Sequence, residues 1–189
     1  MGEISFMRNI PTIFIRTMST LSFKKILKLL RTSVPHPVFS LLSFYATIQS
    51  FTLARKYFPE TNAANGIGNA YRHALWTCLI MMYCCKVSSP EKALQFCKKI
   101  TDMHEELFPN APLEKKMDLH NNRVGMDLFM EMLAGIHRQF FETGFFVDKL
   151  FEKTRHAVVL KDLHQYAGNE LVYLLDENEE MTNAERRLQ

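Results

Sequence analysis

At 189 residues and 47% apolar side chains, the chain is long enough for one well-cored domain and too short for several. Only seven glycines and seven prolines occur and alternating polarity is scarce, which excludes a β-sandwich or barrel. The helix-forming bias toward Leu, Met, Phe, Lys and Glu predicts an all-α fold, a compact multi-helix bundle with a polar cleft between its central helices. The net charge of +3 is gathered at the N-terminus, where Arg8, Arg16, Lys24, Lys25, Lys28 and Arg31 face only Glu3; a globally basic surface is excluded, and no nucleic-acid partner is expected.

The pattern divides the chain into a basic amphipathic arm (1–33), a helical domain (34–176) and a polar tail (177–189) expected to fray. The short run from Ile10 to Ile15 contains Pro11 and Thr12 and does not read as a cleavable leader. Ser22 can cap a helix that places Phe23, Ile26, Leu27 and Leu30 on one side and Lys24, Lys28 and Arg31 on another. Such a helix suits an anionic membrane surface or a solvated domain edge, giving a cytoplasmic protein with peripheral contact at the inner face of the membrane as the expectation. Residues 32–54 carry no formal charge. Pro35 and Pro37 shorten that stretch to marginal spanning length, and a buried core helix over 38–57 is the preferred reading.

A turn-rich loop over 59–68 leads into a long apolar helix over about 69–85. Ser89 and Pro90 restart the chain as cap and first helical residue, and that helix runs to about Leu107. A helix from about Leu113 continues toward Phe141 with a break near Gly135, and 145–151 and 155–176 also read as helical. Cys78, Cys84, Cys85 and Cys97 form no C-x-x-C pair and read as buried, reduced core residues.

Against this apolar background three polar segments stand out: Asn69-Ala-Tyr-Arg72-His73-Ala-Leu-Trp76, Asp102-Met-His104-Glu105 and Asp118-Leu-His120-Asn121-Asn122. Buried charges and imidazoles are costly unless paired or liganded, so three such segments point to one shared site. Asn69, Arg72, His73 and Trp76 recur at i, i+3, i+4, i+7 and project from one helical side. A guanidinium there calls for an anion. His104 and Glu105 can act as ligand and base, although Phe108 breaks the H-E-x-x-H spacing. Gly125, inside a helix, signals close approach of a second backbone or a ligand.

These segments resemble a bacterial helical domain family of unknown function, with the pattern N-A-F-R-H-A-x-W, then H-E, then D-x-H-N-N-x-V-G. The resemblance covers about residues 50–130, and Tyr71 replaces the Phe of the pattern. Members of that family occur alone and at the C-termini of large toxin-like proteins, so the resemblance implies an effector as one role and brings no established reaction. The Arg-His step is also loosely similar to small bacterial phospholipases A2, which follow the histidine with Asp where Ala74 stands here.

The chemistry points first to a hydrolase acting on a phosphoester or phospholipid-like substrate. His73, Glu105, Asp118 and His120 are the candidate catalytic residues, and Asn69, Arg72, Trp76, Asn121 and Asn122 the candidate substrate-binding ones. His73, His104, Asp118 and His120 form a candidate ligand set for zinc or a similar divalent metal. A metal-free form would use a histidine base oriented by Asp118. The competing reading is a non-catalytic helical module at a membrane surface or in an assembly. No Gly-rich phosphate loop occurs, and no nucleotide cofactor is expected.

Overall fold

The computed structural model describes residues 22–62 and 64–175. The apolar run at Ile10–Ile15 and the polar tail therefore lie outside the described residues. Six α-helices follow one another: α1 (Phe23–Ser33), α2 (Pro37–Tyr57), α3 (Ile67–Val87), α4 (Pro90–Leu107), α5 (Pro112–Leu133) and α6 (Thr143–Thr154). The all-α expectation holds, with almost no strand among the described residues.

The centre is α3. Sixteen of its 21 residues are buried, so it is surrounded rather than amphipathic, and it packs most extensively against α2 and α5. Its contact with α5 is unusually close. A Cβ on Gly125 would sit 2.1 Å from the Ala74 carbonyl oxygen and 2.2 Å from Thr77 Oγ1. Only glycine lets the two backbones meet there, and the approach sets Thr77 Oγ1 3.0 Å from the Asn122 carbonyl oxygen. Ser89 Oγ accepts from the Lys92 amide, and Pro90 opens α4 as the cap pattern predicts. Glu114 closes the first turn of α5 by accepting from the Ala111 amide. The helix then stops at Leu133, before Gly135.

Two expectations are corrected. The stretch 155–176 is not a helix where it is described. Val158–Val159 and Val172–Tyr173 pair as a short parallel bridge, in the register Val158↔Val172. Asp162 turns the intervening chain by accepting the amides of His164 and Gln165, and Gly168 takes a positive φ of 58°. β-Branched and aromatic residues clustered at the two short runs favour extended backbone over helix. Helix α2 is likewise not a buried core helix. Its inward side is made of small residues, Ser43, Ala46, Ser50 and Ala54, while Val38, Leu41, Tyr45 and Phe51 are exposed. It is long and apolar enough to cross a membrane by length and composition.

Candidate functional site

The site lies where α3, α4 and α5 converge. Asn69, Arg72, His73 and Trp76 share one side of α3, as their spacing requires. The Arg72 guanidinium is held by neutral acceptors: the Asn62 carbonyl oxygen and Asn69 Oδ1, each at 2.7 Å. It also stacks over the Phe51 ring, 4.5 Å from its centroid. Among the described residues no carboxylate stands within ion-pair distance of it, and burial lowers its pKa, opposed by Asp118. Trp76 is fixed to α2 by its indole N–H, which donates to Thr47 Oγ1 at 2.9 Å.

His73 is the buried centre. Its Nδ1 lies 3.2 Å from Asn122 Oδ1, and its Nε2 lies 3.3 Å from Asp118 Oδ1 and 3.4 Å from an Arg72 nitrogen. Burial pushes the imidazole pKa well down, and Arg72 and His104 add to the effect, so the ring is neutral. The His73–Asp118 contact is thus not a conventional ion pair; the two groups touch without forming an aligned hydrogen bond. In the arrangement drawn, Nδ1–H donates to Asn122, which leaves the Nε2 lone pair turned toward Arg72 and Asp118. Asp118 Oδ2 accepts from Asn110 at 3.0 Å. Burial raises the Asp118 carboxyl from 3.8 to about 6, helped by repulsion from Glu105 and opposed by His104 and Arg72.

Glu105 is buried, whereas its neighbour Glu106 is exposed and pairs with Lys28. Glu105 Oε1 lies 3.2 Å from His104 Nδ1. The His104 ring is about one-third exposed, 6.0 Å from the His73 ring and between Trp76 and Phe108 at 5.5 and 5.3 Å. It forms the mouth of the site. Among the described residues five buried side-chain atoms lack a hydrogen-bond partner, which is rare for native polar groups: Glu105 Oε2, Asp118 Oδ1 and Asn122 Nδ2 here, and Ser43 Oγ and Tyr71 OH elsewhere.

Two expected members point elsewhere. His120 Nε2 lies 2.8 Å from the Glu170 carbonyl oxygen, on the side of α5 facing the C-terminal segment. Burial is the largest cause of its lowered pKa. Asn121 is fully engaged by the bridge strand, donating to the Val172 carbonyl oxygen at 2.8 Å and accepting the Val172 amide at 2.9 Å. Residues 118 and 122 are one turn apart, while 120 and 121 are rotated from them toward the strand. The four-ligand metal set is therefore not brought together. Among the described residues no three His, Cys, Asp or Glu side chains group to hold an ion. His156 and His164 are exposed, outside the site. Residues the sequence did not single out also contribute: Asn110 on Asp118, Thr77 on the Asn122 backbone and Phe51 under Arg72. Only Asn110 carried a visible signal, a polar residue inside the Pro109–Pro112 connector.

Comparison with family models gives a match over residues 30–158 to one described as Domain of unknown function (DUF6973). No curated protein and no solved structure matches the chain.

Proposed function

The chain belongs to the DUF6973 family of domains of unknown function, and we propose that it is a hydrolase of phosphoesters or phospholipid-like esters, with His73 as its general base. One observation carries this reading: Glu105 Oε2, Asp118 Oδ1 and Asn122 Nδ2 converge on one site, buried and unpartnered. A packing network satisfies its own polar atoms, because each orphan costs about 1–3 kcal/mol. Orphans gathered beside a neutral imidazole are instead groups that a water and a polar substrate would satisfy.

In this reading a water binds beside Asp118 Oδ1 and His73 Nε2, which lie 3.3 Å apart, within reach of both. Asn122 holds Nδ1 protonated, so Nε2 takes the proton as the water oxygen bonds to the ester centre; the bond to the alkoxy leaving group breaks, and His73 returns that proton to the departing oxygen. Arg72, already held in orientation by Asn62 and Asn69, offers its remaining N–H donors to the anionic ester. His104, with Glu105 behind it, passes protons between the site and bulk water. No step is routed through a metal, since the ligand set read from the sequence does not assemble.

The test is turnover of chromogenic phosphomonoesters, phosphodiesters and phospholipid analogues by purified protein, with metal content measured by elemental analysis. His73→Gln should lower kcat about 10²–10⁴-fold while the thermal unfolding midpoint stays near that of the parent. A folded, active protein indifferent to His73→Gln would rule out the assigned base. Activity that tracks a bound metal at unit stoichiometry would rule out the metal-free route. A folded protein that turns over no ester would leave the reading without support and return the site to a structural role.

A further inference from the structure

We propose that the outer face of α1 and α2 docks on an anionic phospholipid surface. On α1, Phe23, Leu27, Leu30 and Val34 recur at i, i+4, i+7 and i+11, so they share one side. That side faces out, with Phe23 79% and Val34 68% exposed, while Leu29 and Thr32 face the domain. On α2, Val38, Leu41 and Tyr45 share another outward side, with Leu41 68% exposed. The inward side of α2 holds the small residues with Phe39, Leu42 and Leu53 partly packed beside them, while Val38, Leu41 and Tyr45 are turned to solvent. Burying such groups in an apolar phase is favourable, a gain the isolated protein forgoes on every one of them.

The charge on this face selects the occupant. No aspartate or glutamate occurs from Ile4 to Pro59, so both helices carry only positive formal charge. Lys24 and Arg31 border the apolar stripe of α1. Beside it, a groove lined by His36, Val38, Phe39 and Phe96 brings in Lys92 and Lys99. A second copy laid face to face would oppose positive to positive charge. An anionic bilayer supplies both the apolar phase and the opposite charge. The helix also sits beside the site: Lys25 donates to the Leu107 carbonyl oxygen and Lys28 pairs with Glu106, the residues around His104 and Glu105. Docking would bring the His104 mouth near the lipid headgroups. The docking itself is independent of the hydrolase reading, because binding is measured without turnover.

The test is flotation of the full chain with phosphatidylcholine vesicles, with and without phosphatidylglycerol. The protein should float only with the anionic vesicles and be released by high salt. Lys24→Gln with Arg31→Gln should weaken binding about fivefold per charge removed, and Leu30→Ser with Leu41→Ser about tenfold or more. All four side chains are exposed, so thermal unfolding should be unchanged. Lys149→Gln, on α6, should bind as the parent does. The proposal is overturned by equal binding to neutral vesicles, by variants that bind like the parent, or by binding that survives a carbonate wash, which marks a spanning helix. It is equally overturned by absence of vesicle binding, whether residues 1–21 cover the face or Leu41→Ser dissolves a dimer formed through it.

Discussion

Replacing Asp118 with asparagine should make the protein more stable at about pH 7.5, even though it removes a charge from the centre of the site. The Asp118 carboxyl is raised from 3.8 to about 6, chiefly by burial and by repulsion from Glu105. Between those two values the folded chain holds a proton that the unfolded chain has released. Stability therefore falls as pH rises through this window, and the full penalty is present above about pH 6. A displacement of roughly two pH units corresponds to about 3 kcal/mol, an upper bound for what a neutral isostere recovers. Asparagine keeps an oxygen for Asn110 Nδ2 and turns a donor toward the unprotonated Nε2 of His73. An increase of the order of 5 °C in Tm is expected for a chain of this size. The assay is thermal and urea unfolding of parent and variant from about pH 4 to pH 8. The gain should be much smaller near pH 4, where the folded parent is protonated and the unfolded parent about half so, and vanish below about pH 3, where both states are protonated. A variant less stable than the parent at pH 7.5, or one with the same gain at both ends, would refute the reasoning and mark Asp118 as an ordinary stabilising partner of His73. The same variant should lose ester turnover, as expected where function is held at the expense of stability.

Gly125→Ala should destabilise the fold by about 3 kcal/mol or more in urea unfolding, because the added methyl meets the Ala74 carbonyl and Thr77 rather than a flexible side chain. Asn121→Ala should cost about 1–3 kcal/mol and raise protease sensitivity within 158–173, since it leaves the Val172 amide and carbonyl without partners. Thiol titration of the native protein should be slow at all four cysteines and become rapid in denaturant. All four are buried, and burial pushes the Cys84 and Cys85 thiols up to about 12; a fast-reacting native thiol would contradict the packing of α3 or, for Cys97, of α4.

Local pattern was enough for most helices. The Ser89-Pro90 start, the end near Leu107 and the stop before Gly135 all follow from chemistry within a few residues of each boundary. The grouping of Arg72, His73, His104, Glu105 and Asp118 also follows, because polar residues in apolar helices must meet something. What could not be read was rotation. His120 and Asn121 lie two and three residues after Asp118, which on a helix is enough to turn them to the C-terminal segment. Nothing local to α5 announces that a strand near residue 172 will be waiting. The face of α2 escapes local pattern for a related reason: large apolar residues are expected to point inward, yet here the fully buried face of α2 is made of small residues, and Val38, Leu41 and Tyr45 are left outside. The segment 155–175 looked helical by composition, whereas its turn at Asp162 and its pairing over a 14-residue gap are tertiary facts.

The clamp of Asn121 on Val172 bears on how the molecule is born. His120 and Asn121, on the back of α5, gain these partners only when residues 170–173 arrive, some fifty positions later in the chain. In a nascent chain α3 and α5 are both complete before residues 170–173 are added, and until then the rear of the helix lacks those partners. Cutting the finished polypeptide anywhere between 161 and 169 removes the covalent link in a mature protein, leaving the severed piece to the bridge, the grip of His120 and Asn121, the Leu174 amide on the Asn65 carbonyl and the burial of Leu171 and Val172.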